Sequence, residues 1–398
     1  MKYIFLGFAV PDLVMQDILN SDKSMPIQTH KFGWSFIECL KKSSSDVYAI
    51  SVLPVTNFPH YPSIFCKGSV HEERGVKIKI LPFINLLGIK HITRFFTCLT
   101  ELCKCAIFTN DRLLIVHGVH SPFLLASLLA KLLFGFKIVV ILTDPPSVLN
   151  KFDTLFSIIL KKIDFFVIKI LLRNFDGGVV LSKPLRDDFL SNMPTILIEG
   201  ILSNSNLKVE PTISKKRCNT FSFTYAGTLS ESYGVKNLIQ AFIELELPDV
   251  YLDILGRGDL SNYAESISKC HSCIRYHGFK SGQDLTSVYN DTNVFVNARP
   301  LDGLFVKYSF PSKIIEYMST GIPVLTTRLP SIPDDYFPHL YFIDSSQVHD
   351  IKRSILRTIE LSSEELFVKG QGAKEFIFEN KSEDKISQLI SGFLMSIK

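Results

Sequence analysis

Short apolar runs alternate with stretches whose apolar residues recur every three or four positions, and this alternation holds from Tyr3 to Glu199. The runs predict strands at Tyr3 to Phe8, Val47 to Pro54, Lys77 to Pro82, Leu113 to His117, Lys137 to Asp144, Gly178 to Leu181 and Thr195 to Glu199. The periodic stretches predict helices at Lys31 to Lys42, His91 to Ile107, Phe123 to Phe134, Thr154 to Arg173 and Lys183 to Asn192. Runs as apolar as KIVVIL, separated by helices, belong to a parallel sheet covered on both faces. That is a Rossmann-like domain, which binds ligands at the carboxyl ends of its strands. Ser203 to Asn219 is polar, contains a Pro and lacks periodicity, so a linker is expected at 204–219. The pattern then restarts. Strands are expected at Thr220 to Ala226, Val250 to Leu255, Ile274 to Tyr276, Val294 to Asn297 and Ile322 to Thr327. Helices are expected at Val235 to Leu245, Leu260 to Ser268, Gly282 to Asn290, from Pro311, at Gln347 to Leu361 and at Ser363 to Ile397. The fold class is therefore α/β with two Rossmann-like domains, at 1–203 and 220–375, and a closing helical segment at 376–398.

A chain of 398 residues, 46% hydrophobic, exceeds one typical core and agrees with two domains. Residues 1–203 hold 22 Lys+Arg against 16 Asp+Glu and the remainder 21 against 23. The first half is thus mildly basic, which suits an anionic partner or a membrane surface. Nothing points to nucleic acid. Cys39, Cys66, Cys98, Cys103, Cys105, Cys218, Cys270 and Cys273 show no framework spacing and read as reduced thiols, so a cytoplasmic location is expected. The start, MKYIFLGFAVPD, reads as a first strand and not as a signal peptide. The longest apolar stretches, Leu113 to Leu142 and Leu155 to Leu172, carry too many charged and His residues to span a bilayer. In the second of these, Lys161, Lys162, Lys169 and Arg173 accompany a broad apolar band. Such a helix is either a core helix with a solvated edge or a helix resting on an anionic membrane at its inner face.

The densest chemistry lies in KYSFPSKIIEYMSTGIPVL, Lys307 to Leu325. Pro311 suits a first helical turn with Ser309 or Phe310 at the cap, and Gly321 suits the helix end. The helix N-terminus offers unpaired N–H groups, Ser312 and Lys313 add a hydroxyl and an ammonium, and Glu316 lies one turn on, where a carboxylate can accept from a diol. The arrangement fits a sugar attached to a diphosphate. An ordinary amphipathic helix with solvated Lys313 and Glu316 is the alternative. Gly227 and Thr228 follow the first strand of the second half, and Gly256 and Arg257 the second. Small residues there admit a nucleotide against the backbone. Arg299, after the fourth strand, is a further cation for the leaving diphosphate. In the first half, His117 and His120 follow the fourth strand, Asp144 the fifth and Glu199 the last, at the ligand end of the sheet; the alternative for each His is a helix cap or a place in the core, and for Glu199 a cap. Trp34, the single Trp, is either a core residue or an acceptor contact. No Asp-x-Asp pair follows a strand, so no metal is expected.

The Lys307 to Leu325 stretch resembles the donor-nucleotide helix of the retaining glycosyltransferases of family 4, bacterial surface-polysaccharide members included. The order of Tyr225-Ala-Gly227-Thr228, Gly256-Arg257-Gly258, Tyr276-His277-Gly278-Phe279 and Asn297-Ala-Arg299-Pro300 resembles the same family. The resemblance implies the GT-B fold, two Rossmann-like domains facing across a cleft, with the last helix returning to the first domain. It implies that Glu316 holds the donor ribose, that His117 lies near the donor sugar and the acceptor, and that anomeric configuration is retained. The chain departs from the family at Tyr308, where many members carry a second Glu, and at Thr228 and Tyr233, where members place an Arg and a Lys on the phosphates. Donor contacts are then expected from Gly227, Thr228, Gly256, Arg257, Arg299, Ser309, Ser312, Lys313 and Glu316, with His117, Lys313 and Glu316 catalytic. Acceptor contacts are expected from His120, Asp144, Glu199 and Trp34. No cofactor is expected. The partners are a nucleotide-diphosphate sugar as co-substrate and a glycan or polyprenyl-diphosphate-linked acceptor, in O-antigen or capsule synthesis. A sugar-nucleotide epimerase of the same shape, or a non-catalytic nucleotide-binding protein, are the alternatives.

Overall fold

A computed structural model describes residues 2–21, 27–43, 46–108, 113–146, 154–202 and 220–397. The linker expected at 204–219 lies outside them. The chain forms two compact units, Met1–Ile201 with Glu383–Lys398, and Leu202–Ser382.

Unit 1 runs β1 (Lys2–Gly7), α1 (Asp12–Ser21), α2 (Ile27–Ser43), β2 (Asp46–Ser51), β3 (Phe65–Cys66), β4 (Ser69–Glu73), β5 (Val76–Ile80), β6 (Phe83–Ile84) and α3 (Ile89–Phe108). It continues with β7 (Leu113–His117), α4 (Ser121–Phe134), β8 (Lys137–Leu142), α5 (Leu155–Leu172), β9 (Gly177–Val180), α6 (Lys183–Phe189) and β10 (Thr195–Leu197). Eight strands form one sheet in the order β10-β9-β8-β7-β1-β2-β5-β4, while β3 and β6 make a separate two-stranded ribbon. β7 is buried at all five positions, as a strand covered on both faces must be. The edge strand β4 is antiparallel to β5 and is joined to it by Arg74 and Gly75, both at positive φ, the geometry of a tight hairpin. Its sequence, SVHEE, lacks an apolar run because neither face is fully covered.

Unit 2 runs β11 (Phe221–Ala226), α7 (Val235–Leu245), β12 (Val250–Leu255), α8 (Ser261–Cys270), β13 (Ile274–Gly278), α9 (Gly282–Asn290), β14 (Val294–Asn297) and α10 (Leu304–Tyr308). Then come α11 (Lys313–Ser319), β15 (Val324–Thr327), β16 (Tyr341–Ile343), α12 (Val348–Ile359) and α13 (Ser363–Lys381). Its six strands are ordered β13-β12-β11-β14-β15-β16 and all pair in parallel. Two apolar clusters, one around Phe223, Leu252 and Ile355 and one around Phe295, Ile314 and Met318, make up its core. Both units are Rossmann-like.

The helix expected to run unbroken from Ser363 to Ile397 is two helices. α13 opens on a capping box between Ser362 and Glu365 and stops before Ser382, whose ψ of 151° is extended. There the backbone pairs sideways: Leu202 N–H donates to Lys381 O at 2.8 Å. The second helix, α14 (Glu383–Ile397), belongs to unit 1, so the return begins at 383 and not at the expected 376. Ile386, Ile390, Phe393, Leu394 and Ile397 join the unit 1 core, and Lys42 on α2 reaches Glu383 at 3.0 Å and Asp384 at 2.7 Å.

Among the described residues no helix is long and apolar enough to cross a membrane. On α5, however, Leu155, Ile159, Ile163 and Phe166 are each more than half exposed. Among the described side chains of α5 a narrow stripe, Ile168 and Leu172, is fully buried. A core helix with a solvated edge does not describe it.

Candidate donor-nucleotide site

The site is framed where β11, β12 and β14 end in unit 2. Three loops meet there backbone to backbone. A Cβ on Gly256 would stand 1.8 Å from Gly227 O, one on Gly258 2.2 Å from Leu229 O, and one on Gly234 2.0 Å from Ala298 O. Gly256 is therefore explained by contact between loops and not by room for a nucleotide. Thr228 and Arg257 are exposed at this end, and the Arg257 guanidinium lies 4.6 Å over the exposed Phe279 ring.

α11 starts at Lys313 with Ser312 in the cap position, two residues later than expected, and neither Ser309 nor Phe310 caps it. The reason is that the Ser309 carbonyl is already taken, by Arg299 Nη1 at 3.2 Å and Ser331 Oγ at 3.0 Å. Ile314, Ile315, Tyr317 and Met318 anchor the helix, and Gly321 follows it at φ 83° as its sequence position implied. Tyr317 fixes it to the sheet: its hydroxyl donates to Ala226 O at 2.8 Å, and its ring stacks on Phe295 at 4.2 Å.

Lys313 and Glu316 stand together on the first turn, Nζ lying 2.8 Å from Oε2 and 2.9 Å from Oε1. Both are about one-third exposed, so each can exchange its partner for a ligand group at modest cost. A third member, Tyr289 on α9, has no mark in the local sequence pattern. This fully buried ring donates its hydroxyl to Glu316 Oε1 at 2.9 Å. Burial and the Glu316 charge push the Tyr289 hydroxyl far up, which keeps it a donor. It holds the carboxylate through Oε1, and Oε2 is bonded by Lys313. Contact across 27 residues leaves no local sequence signal. Tyr289→Phe should raise KM for the nucleotide about tenfold with little change in thermal stability, the loss of one hydrogen bond to a charge. Unchanged nucleotide affinity would remove Tyr289 from the site.

Arg299 is buried over the Tyr233 ring at 4.5 Å and braces the segment before α11 through Ser309. Tyr308, in the place of the second Glu, is also buried.

In unit 1, His117 ends β7 inside the core, packed between Gly7 and Gly33 and against Phe5 and Phe32. Its Nε2 has no hydrogen-bond partner among the described residues, and burial pushes the imidazole down to about 4. It is a neutral ring. As pH falls from 6.5 the unfolded chain takes up a proton that the folded chain refuses, so about 3 kcal/mol of stability should be lost by pH 4. Urea unfolding of wild type and His117→Gln at pH 7 and 4.5 checks this: the pH dependence should shrink by about 2 kcal/mol in the variant. An equal dependence in both would contradict it. Trp34 is a core residue, its indole N–H donating to Val10 O at 2.9 Å and its face covered by Arg74 at 4.7 Å. Glu199 is buried and Asp144 exposed. His120 is the cap residue of α4. Among the described residues no group of His, Cys, Asp and Glu is placed to hold a metal ion.

Two Rossmann-like units in one chain, the last helix returned to the first unit, define the GT-B fold. Residues 220–360 match the family model for glycosyl transferases group 1, which covers the whole Lys307 to Leu325 stretch. A 171-residue segment, 42% of the chain, is 25% identical to the GtfA subunit of a UDP-N-acetylglucosamine–peptide N-acetylglucosaminyltransferase from Streptococcus pneumoniae. The match spans 31% of that relative's length. Among solved structures, apo OtsA is similar over 99% of both chains with a TM-score of 0.68 at 11% identity. Anabaena HepE in complex with UDP is similar over 100% of both chains with a TM-score of 0.63 at 15% identity. The two Rossmann-like domains of GT-B type expected from the sequence are thus found.

Proposed function

We propose that this chain is a retaining, metal-independent glycosyltransferase. It moves a sugar from a nucleoside diphosphate to a hydroxyl of a glycan or lipid-diphosphate-linked acceptor, in building a bacterial surface polysaccharide of the O-antigen or capsule type. The observation that carries this reading is the Tyr289–Glu316–Lys313 group, its two charges on the first turn of α11 and its Tyr on α9, all inside the segment that matches glycosyl transferases group 1. Glu316 accepts the ribose diol. Lys313 and Ser312 take the diphosphate, and as the bond from the anomeric carbon to the phosphate oxygen breaks, the charge left on that oxygen is met by the Lys313 ammonium. The acceptor hydroxyl forms the new bond on the same face and passes its proton to the departing diphosphate. The exposed Phe279 and Arg257 offer a flat surface for the base.

A panel of nucleotide-sugars, UDP-sugars first because a similar structure holds UDP, should contain one that raises the melting temperature. That donor, mixed with candidate acceptors, should yield a glycosylated product by mass spectrometry. Stabilisation by none would refute the reading, and an isomerised sugar formed without acceptor would favour an epimerase. Lys161, Lys162, Lys169 and Arg173 beside the exposed apolar face of α5 support contact with an anionic bilayer. The protein should then co-sediment with phosphatidylglycerol vesicles at low salt and less with phosphatidylcholine. Equal sedimentation with both would discount the surface.

A further inference from the structure

At the carboxyl end of the unit 1 sheet, two cations of α3 are buried one turn apart. Arg94 is 3% exposed and Lys90 5%. Arg94 Nη2 donates to Leu53 O at 2.8 Å, and Lys90 Nζ to Val55 O at 2.5 Å and Asn57 Oδ1 at 3.2 Å, so both hold the segment that follows β2. Carbonyl oxygens carry no charge, and a guanidinium out of water normally has an anion beside it. Among the described residues no carboxylate pairs with Arg94, its Nε has no partner, and Phe8 and Phe83 cover its faces at 5.7 and 4.2 Å. Its Nη1 points at His120, 3.4 Å from Nε2. His120 caps α4 without a side-chain bond to it, so the positive end of a 14-residue helix opens at the same spot. The His91 ring stands 5.2 Å from His120, nearer the surface. Burial and the charges of Arg94 and Lys90 hold both imidazoles below their usual range. The carboxylate that bears on His91, Asp164, is engaged by the Ser121 hydroxyl.

We propose that Arg94, Lys90 and His120, with the start of α4, bind a phosphate or diphosphate group carried by the acceptor. This deepens the transfer reading, in which unit 1 receives the acceptor, and rests on it for the ligand's role. The group brings the anion that the buried guanidinium lacks and meets the positive end of the helix dipole, where Pro122 has no N–H and those of Phe123 and Leu124 bond the His120 carbonyl. A soluble sugar phosphate and a lipid-borne diphosphate share this chemistry.

The test titrates inorganic pyrophosphate into the full chain by calorimetry, using wild type, Lys313→Ala, Arg94→Gln and His120→Ala. Lys313→Ala disables the donor side. Binding that persists there and weakens at least tenfold in Arg94→Gln and His120→Ala assigns the site. Binding lost in Lys313→Ala, or left unchanged by Arg94→Gln and His120→Ala, overturns it. His120→Ala keeps the bonds of Arg94 to the loop, so it decides alone if Arg94→Gln fails to fold. Displacement of pyrophosphate by glucose 6-phosphate or by farnesyl diphosphate tells which source the site serves, and displacement by neither overturns the assignment to an acceptor. Binding of the nucleotide-sugar panel is measured separately. If none of the panel binds while the pyrophosphate site stands, the transfer reading falls and the anion site remains.

Discussion

Replacing Glu316 with Ala is expected to lower kcat/KM for sugar transfer about 100-fold to 1000-fold and to leave the fold intact. The carboxylate sits on the first turn of α11, one-third exposed, with Tyr289 and Lys313 as its partners. Removing it breaks no buried ion pair, because Lys313 reaches water, and leaves only the buried Tyr289 hydroxyl without its acceptor, a cost of about 1 to 3 kcal/mol. The ribose, in contrast, loses a charged acceptor held by a fixed hydroxyl. Two such hydrogen bonds are worth about 3 to 4 kcal/mol, which is the stated loss. Glu316→Gln should recover part of it. Measured kcat/KM within threefold of wild type for Glu316→Ala, with circular dichroism unchanged, would detach the site from catalysis altogether.

Gly256→Ala is expected to destabilise unit 2 by roughly 4 kcal/mol or more and to abolish nucleotide binding with it. Two penalties combine. The residue has φ 138°, where a side chain is strained, and the added Cβ would meet Gly227 O at 1.8 Å, so the loop after β11 must move. Gly278 is the control: its φ is 68°, but nothing lies within 4 Å of its Cβ direction. Gly278→Ala should cost only about 1 to 2 kcal/mol. Urea unfolding followed by nucleotide titration separates the two, and equal losses at both glycines would deny the loop contact its importance.

Strands buried on both faces, such as β7 and β8, were legible because each is apolar but for one terminal residue, His117 and Lys137, and that pattern carried the parallel α/β fold. β4 was not, since an edge strand with exposed Val70 needs no alternation. The break at Ser382 was hidden because serine is permitted inside a helix, and what stops α13 is the extended backbone at Ser382 beside the bonded Leu202. In the site, Lys313 and Glu316 could be placed on one face from spacing, since residues three apart meet on a helix. Tyr289 could not, because the contact depends on how α9 packs against α11. The glycines at 227 and 256 mark loops that meet at the strand ends, but Gly256 relieves crowding against the Gly227 backbone, and Gly227 against the Tyr225 side chain. Arg299 was expected on the diphosphate, and its burial and its bond to Ser309 instead make it a brace for α11.

The break at Ser382 also sets an order of events during synthesis. Unit 2 is a continuous piece of chain, 202–382, whereas unit 1 needs its last helix from 383–398. A ribosome therefore delivers the whole of the inserted unit while the earlier one still lacks α14, with Ile386, Ile390 and Phe393 absent from its interior. The half that starts first is finished last, and until then the apolar surface that α14 covers in unit 1 stays open to solvent.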